Sequence, residues 1–310
     1  MTPQKHSEII KQVAKLNGFD YCGISKADFL AEEAPKLEKW LKSGFQGEMS
    51  YLDNHFDKRL DPRLLVPGAK TVVSLLFNYY PKKNPLETEY KIAKYAYGED
   101  YHTVVKDKCY SMLEQLRSQL GDIGGRVFVD SAPVMERVWA EKSGLGWIGR
   151  HGLLINKSQG SYFFIAELII DLECEPDGPV KDYCGTCTKC VDACPTEAIL
   201  PNKTLNASHC ISYLTIELKS SIDEKFSDKM NDWIFGCDIC QDVCPWNRFS
   251  KHTNEIRFEP VEAIGYSKKD WEQLEKEQFD RVFKHSAVQR TGFEGLKRNI
   301  SFLKKISTNS

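Results

Sequence analysis

Two cysteine runs constrain this chain more than any other feature: Cys184-x2-Cys187-x2-Cys190-x3-Cys194-Pro195 and Cys237-x2-Cys240-x3-Cys244-Pro245. This is the spacing with which bacterial ferredoxins wrap around two cubane iron-sulfur clusters, the fourth cysteine of a run ligating the other cluster. Cys194 therefore goes with the second set and Cys244 with the first. The second run lacks its leading ligand, because Ile234 stands where that cysteine is needed. Cys210, the one unassigned cysteine between the runs, fills the place, with His209 as the other candidate. The expected sets are Cys184, Cys187, Cys190 and Cys244 for one 4Fe-4S cluster, and Cys194, Cys210, Cys237 and Cys240 for the other. Paired C-x2-C units also hold zinc, but runs of three cysteines ending in Cys-Pro suit tetrahedral zinc poorly. Cys22, Cys109 and Cys174 have no partner at ligand spacing and read as small buried hydrophobes.

A length of 310 residues allows one large domain and a smaller one. No stretch approaches the roughly 20 apolar residues of a membrane span, and the N-terminus lacks the apolar segment of a signal peptide. Eleven cysteines that read largely as metal ligands fit a reducing compartment. A cytoplasmic protein without membrane contact is expected. The net charge of -2 excludes a molecule that is basic as a whole, so a polyanion needs a local patch. Asp280 to Lys305 offers one, with seven cationic residues (Arg281, Lys284, Arg290, Lys297, Arg298, Lys304 and Lys305) against two acidic ones. The competing reading of such a run is a solvated helix face.

Ahead of the cysteines the chain alternates in character. Ser7 is placed to cap a helix carrying Ile9, Ile10, Val13 and Leu16, with Gly18 beyond its end. Strand-like runs at Thr71 to Phe77, Arg126 to Val129 and Tyr162 to Ile170 are separated by helical patterns such as Val104 to Leu120 and Val134 to Ser143. The expected fold is an α/β (α+β) domain over residues 1–180, a two-cluster ferredoxin-like domain over 181–250, and a short helical, basic segment over 251–310. The turn-rich acidic stretch Asp171 to Pro179 marks the first boundary. Between the cysteine runs, Ala207 to Leu218 and Asp223 to Trp233 read as helical.

A ferredoxin unit alone is a wire, and a large domain ahead of it implies that something is reduced. Asp130 stands at the carboxyl end of a strand and is the best acid candidate. The other reading is a helix N-cap before Pro133, a role Ser131 fills equally well. Ser143 to Gly152 holds four glycines, a loop whose backbone can approach a flat ligand. There is no P-loop or dinucleotide fingerprint, so a cofactor other than a nucleotide is expected.

The motifs together resemble those of the epoxyqueuosine reductases, cobalamin and iron-sulfur enzymes of tRNA queuosine biosynthesis. The likeness rests on Arg59 with Asp61-Pro-Arg-Leu-Leu-Val-Pro-Gly68, Tyr97-Gly-Glu-Asp-Tyr-His102, Val129-Asp-Ser-Ala-Pro133, Glu136-Arg137, Gly144-Leu-Gly-Trp-Ile-Gly149, His209-Cys-Ile-Ser212 and both cysteine runs. It implies reduction of epoxyqueuosine to queuosine in the anticodon loop of tRNA, the last step of that biosynthesis. It also implies Asp130 as proton donor beside a base-off cobalamin with a cob(II)alamin resting state, one cluster near the cobalt and the other toward the surface. Arg59, Lys94, Tyr97, Leu154, Ile165, Ser212 and Asp238 would surround that cobalamin. An external one-electron donor of flavodoxin or ferredoxin type is implied, and the protein is read as a monomer. The Asp-x-His-x-x-Gly signature of histidine-ligated cobalt is absent, as in the family, since Asp53-Asn-His55 is followed by Lys58 where glycine is needed. Many relatives continue into HEAT-like repeats. The expectation here is a tRNA grip from the core or from the basic patch, through Arg290, Lys297 and Arg298.

Opening an epoxide to an alkene consumes two electrons and two protons and releases water. The acid should contribute on the order of 100-fold or more, and its pKa is expected to be raised by burial against the corrin. Two other readings remain: a cobalamin-dependent reductive dehalogenase-like reductase of small molecules, and an electron-transfer module without chemistry of its own.

Overall fold

Near-continuous apolar runs build the central sheet. The computed structural model describes residues 1–82 and 89–308. Its strands are β1 (Tyr21–Lys26), β2 (Thr71–Asn78), β3 (Lys91–Ile92), β4 (Gly125–Phe128), β5 (Trp147–Ile148), β6 (Leu154–Ile155), β7 (Phe163–Ile170) and β8 (Trp233–Phe235). Four of them form one sheet in the order β1-β2-β7-β4, antiparallel at every pairing. The alternation of strands and helices is thus realised in its α+β form. β2 is buried at every position, which a strand tolerates only when both faces are covered. Val73, Leu75 and Phe77 pack with Ile10, Val13, Met112 and Leu116 of helices Pro3–Leu16 and Tyr101–Leu120. Val72 and Leu76 enter the opposite face, under Val138, Trp139 and Ala140 of helix Glu136–Lys142.

A second core ignores the expected boundaries. β3 pairs in parallel with β8, so residues 90–97 leave the sheet domain and join the cysteine-bearing half. Tyr90, Ile92 and Tyr97 share one apolar cluster with Ile211, Phe235, Trp271, Phe279 and Leu296. Segments 181–250 and 251–310 are therefore built around common side chains.

The local differences have local causes. The first helix begins at Pro3 behind a Thr2 cap, and Ser7 lies inside it, its hydroxyl donating to Pro3 O and Glu175 O. Ala207 to Leu218 splits into a 3₁₀ turn, Ala207–His209, and helix Ile211–Ile216. Asp223 to Trp233 forms only the 3₁₀ stretch Glu224–Lys229 before entering β8.

Helix Gly292–Thr308 locks the C-terminal half. The Arg298 guanidinium donates to Leu214 O, Leu218 O, Ser220 O and Asn299 Oδ1, satisfying carbonyls that helix Ile211–Ile216 and the turn after it leave free. Buried Asn299 donates to Thr215 O and Ile234 O, each at 2.8 Å. Arg298→Ala should cost about 2–3 kcal/mol of stability, seen as a lower urea midpoint at unchanged slope. An unchanged midpoint would show the clasp to be idle.

Candidate functional site

The cysteine runs fold into two short helices, Lys189–Asp192 and Ile239–Asp242, which pack on each other. Cys184, Cys187, Cys190 and Cys244 line one cavity of about 220 Å³, so the last cysteine of the second run crosses to the first. Trp147 Nε1 donates to Cys184 Sγ at 3.4 Å, and Ala198 N to Cys194 Sγ at 3.3 Å. Cys194, Cys210, Cys237 and Cys240 form the other group. Burial pushes the thiol pKa values of Cys210, Cys237 and Cys240 up, and thiols of the same set push them further. Such thiols ionise when a positive metal centre takes them as ligands. Cys190 is pushed up to about 11 by burial and by Cys244, Cys184 and Cys187. It also bears on Cys240, so the groups adjoin there. His209 packs its ring against Phe226, centroids 5.5 Å apart. Eight thiols in two groups of four suit a pair of 4Fe-4S clusters.

Asp130 lies just past β4 with φ 52°, a left-handed backbone that strains a residue with a side chain. Its surroundings hold it there. Its amide donates to Glu136 Oε1, the Tyr101 hydroxyl donates to Oδ2, and His102 Nε2 stands 3.6 Å from the same oxygen. Tyr101 and His102 open helix Tyr101–Leu120, which Asp100 caps through His102 N, so the positive end of a helix faces the carboxylate. The Tyr101 ring stacks on Phe164 of β7, centroids 4.2 Å apart. Helix Glu136–Lys142 starts after Met135 without a side-chain cap, and neither Asp130 nor Ser131 serves it. Asp130 keeps 57% of its side-chain surface open, so it has a free side for a ligand.

Burial alone raises the Asp130 pKa, but hydrogen bonds from His102 and Tyr101 and the charges of His102 and Arg137 outweigh it and hold the group below its ordinary value. His102 moves the other way: burial lowers it, Asp100 and Asp130 raise it, and the result is about 9. Burial, then the Asp130 charge, lifts Glu136 to about 8. Behind it sits Glu167 of β7, inaccessible, with both carboxyl oxygens lacking a partner. Burial and the charges of Glu136 and Asp130 push its pKa far up. Asp130 is thus held toward its ionised form, while His102, Glu136 and Glu167 are all pushed toward their protonated forms.

The remaining expected residues fall into separate groups. Arg59 donates to Tyr51 O at 3.0 Å and leaves Nε buried without a partner. Burial lifts the Tyr51 pKa, and the charges of Glu217 and Asp130 lift it further, a sign that its phenol stands near both. Asp238, 2% exposed, accepts from Lys94 N at 2.8 Å and lies 3.4 Å from Lys94 Nζ, which also donates to Asp242. Tyr97 beside them is pushed up to about 12 by burial and by Asp238. Leu154 and Ile165 share an apolar cluster with Leu76 and Leu145. Ser212 is half-buried in the first turn of helix Ile211–Ile216. Tyr95, not singled out from the sequence, feels the charges of both Asp130 and Asp238 and joins the two groups. In the glycine-rich loop, Gly146 is required by the β5–β6 turn itself, since a Cβ there would meet Ile155 O at 2.2 Å.

The basic patch is mostly engaged within the chain. Arg298 forms the clasp described above, Lys297 Nζ donates to Glu272 O at 2.7 Å, and Lys304 pairs with Glu272 at 2.8 Å. Arg290 is held bidentate by Glu217 at 3.0 and 2.9 Å and lies over the Tyr51 ring, at the edge of the Asp130 cleft. Arg298 is therefore a structural residue, against the expectation that it grips phosphate. Among the described residues no helix is long and apolar enough to cross a membrane.

Residues 183–247 match the family profile described as 4Fe-4S double cluster binding domain, and residues 59–131 that described as Epoxyqueuosine reductase QueG, DUF1730. The epoxyqueuosine reductase of Cyclobacterium marinum is 61% identical, over 98% of either chain. That of Escherichia coli is 39% identical, over 94% of this chain and 79% of its own. A crystal structure of epoxyqueuosine reductase with a tRNA-Tyr epoxyqueuosine-modified tRNA stem loop superposes with a TM-score of 0.89 at 30% identity, covering 96% of this chain and 80% of that one. The Bacillus subtilis enzyme, solved with its catalytic aspartate loop swung out of the active site, gives 0.87 at 30% identity, covering 96% and 81%. On identity of this size over nearly its whole length, the chain belongs to the epoxyqueuosine reductase family of oxidoreductases.

Proposed function

We propose that this protein reduces epoxyqueuosine to queuosine in the anticodon loop of tRNA, with Asp130 as the proton donor. The observation that carries the reading is the open carboxylate of Asp130, held by Tyr101 and His102, in a family member that also carries two groups of four thiols. Two 4Fe-4S clusters and a base-off cobalamin, resting as cob(II)alamin, would supply electrons drawn singly from a flavodoxin- or ferredoxin-type donor and delivered in pairs at cobalt. Cys184, Cys187, Cys190 and Cys244 would hold one cluster, and Cys194, Cys210, Cys237 and Cys240 the other. Arg59, Lys94, Tyr97, Leu154, Ile165, Ser212 and Asp238 would surround the corrin. The unsatisfied Arg59 Nε supports that fit, since a buried donor without a partner invites a ligand acceptor.

The residues then divide the work. Both C–O bonds of the epoxide break, a C=C bond forms, and the oxygen leaves as water after taking two protons. A developing alkoxide needs an acid within hydrogen-bond reach. Asp130, ionised at rest, acquires its proton from the His102 imidazolium 3.6 Å away, while Tyr101 keeps Oδ2 in place. The target base would be turned out of the loop into the cleft, with Arg290 and Tyr51 at its rim, and phosphate contacts would weaken as salt rises.

Anaerobic reconstitution with iron, sulfide and cobalamin, then nucleoside analysis of treated tRNA, tests the reading. Queuosine should appear, at a rate that falls as pH rises through about 9, where His102 loses its proton. His102→Gln should replace that limb with one at lower pH, where Asp130 itself loses its proton, and so move the optimum down. A digest with no queuosine at any pH rejects the function, and an unshifted profile rejects the His102 role.

A further inference from the structure

We infer that the rim of the cavity formed by Cys184, Cys187, Cys190 and Cys244 is the docking surface for the electron donor, and that this donor is an acidic one-electron carrier protein. The inference rests on the functional reading above, in which clusters are filled from outside.

The two groups of thiols stand in different surroundings. Asp238, which accepts from Lys94 N at 2.8 Å, directly follows Cys237, so the second group is tied to the Lys94 side, where the functional reading puts the corrin. The first group lines a cavity that opens to the surface, with Cys184 and Cys187 half-exposed and Cys190 and Cys244 buried. The thiols of the second group are half-exposed as well, so what distinguishes the first is the charge and apolar surface around its opening.

That opening has an unusual charge for this molecule. Its walls include Arg150 and Arg248 and no carboxylate. Lys157 Nζ lies 4.7 Å from the centre of the Tyr183 ring, and Arg248 lies 4.5 Å from that of Phe249. Asp182, two residues before Cys184, is paired with Lys203. A cationic rim on a chain of net charge -2 cannot come from overall basicity. It attracts acidic surfaces locally and orients them, which raises association rates.

The rim also carries flat apolar surface. Tyr183 and Phe249 are 39% and 40% exposed. Phe249 contacts Trp246, which with Tyr183 packs on buried Trp147, at centroid distances of 6.1, 5.0 and 5.3 Å. Trp147 in turn donates to Cys184 Sγ. Exposed aromatics ringed by cations over a redox site fit a small carrier that presents its cofactor edge within an acidic collar. An RNA would find the same charges, but the thiols at the floor of this opening give a reason for a redox partner.

The test uses reconstituted holoprotein and an acidic flavodoxin. Lys157→Glu combined with Arg248→Glu should weaken flavodoxin binding, measured calorimetrically at low salt, by about 10-fold or more, and the difference should shrink as salt rises. Bleaching of the clusters by reduced flavodoxin should slow in parallel, while iron content and bleaching by dithionite stay as in the parent. Unaltered flavodoxin affinity, no flavodoxin binding by the parent, or a loss of tRNA affinity in place of flavodoxin affinity would each overturn the assignment. Queuosine formation by the dithionite-reduced parent separates this failure from failure of the functional reading: if queuosine forms, only the docking surface is lost.

Discussion

Asp130→Asn should keep its iron, its cobalamin and its affinity for tRNA, and lose on the order of 100-fold or more in turnover. Asparagine is nearly isosteric, and its amide oxygen still accepts from the Tyr101 hydroxyl that now holds Oδ2. Its backbone amide still reaches Glu136, so the left-handed loop has its anchors. What disappears is a group able to take a proton from His102 and give it to the opening epoxide. A second consequence is spectroscopic: without the carboxylate, one of the two partners that raise His102 to about 9 is gone, and the imidazole should titrate at lower pH in NMR. Full turnover in the variant would remove Asp130 from the chemistry. A loss of tRNA or cobalamin binding would make its role one of architecture.

Cys210→Ser should be as damaging by a different route. Cys210 stands between the cysteine runs and supplies the thiol that Ile234 cannot, and its burial together with Cys194, Cys237 and Cys240 puts it in their group. With three thiols left there, reconstituted protein should hold clearly less iron than the parent, approaching half, and turnover should drop below detection because electrons stop at the first cluster. His209→Ala should leave both nearly unchanged, since that ring packs on Phe226. The reverse pattern, with iron retained in Cys210→Ser and lost in His209→Ala, would exchange the two assignments.

The residues show why some of this was legible in the chain and some was not. β2 and β7 are long, nearly continuous runs of β-branched, aromatic and other apolar residues, so sequence placed them within a residue or so. The cysteine runs were readable because cluster ligation fixes spacing. β3 and β8 were invisible: two or three residues carry no period, and their pairing depends on a partner some 140 positions away, which is also why the boundary at residue 180 does not divide the cores. The surroundings of Asp130 were hidden for a related reason. The expected rise in its pKa comes from burial against a corrin, whereas Tyr101 and His102, brought by another helix, are the groups that with Arg137 outweigh burial in the chain alone. The Asp100 cap with Tyr-His in the next turn was the available signal. Charge along 280–305 was countable, but the carbonyls that engage Arg298 belong to another helix and the turn after it, and no local pattern reveals them.

Glu167 has a consequence for the molecule as a whole. Its folded-state pKa lies far above that of the unfolded chain, so its contribution to stability is fully present only below the unfolded value and is lost as pH rises through the folded one. Between those two values unfolding releases a proton that the native sheet retains, so rising pH should loosen the packing on both faces of β7 before it disturbs the exposed surface.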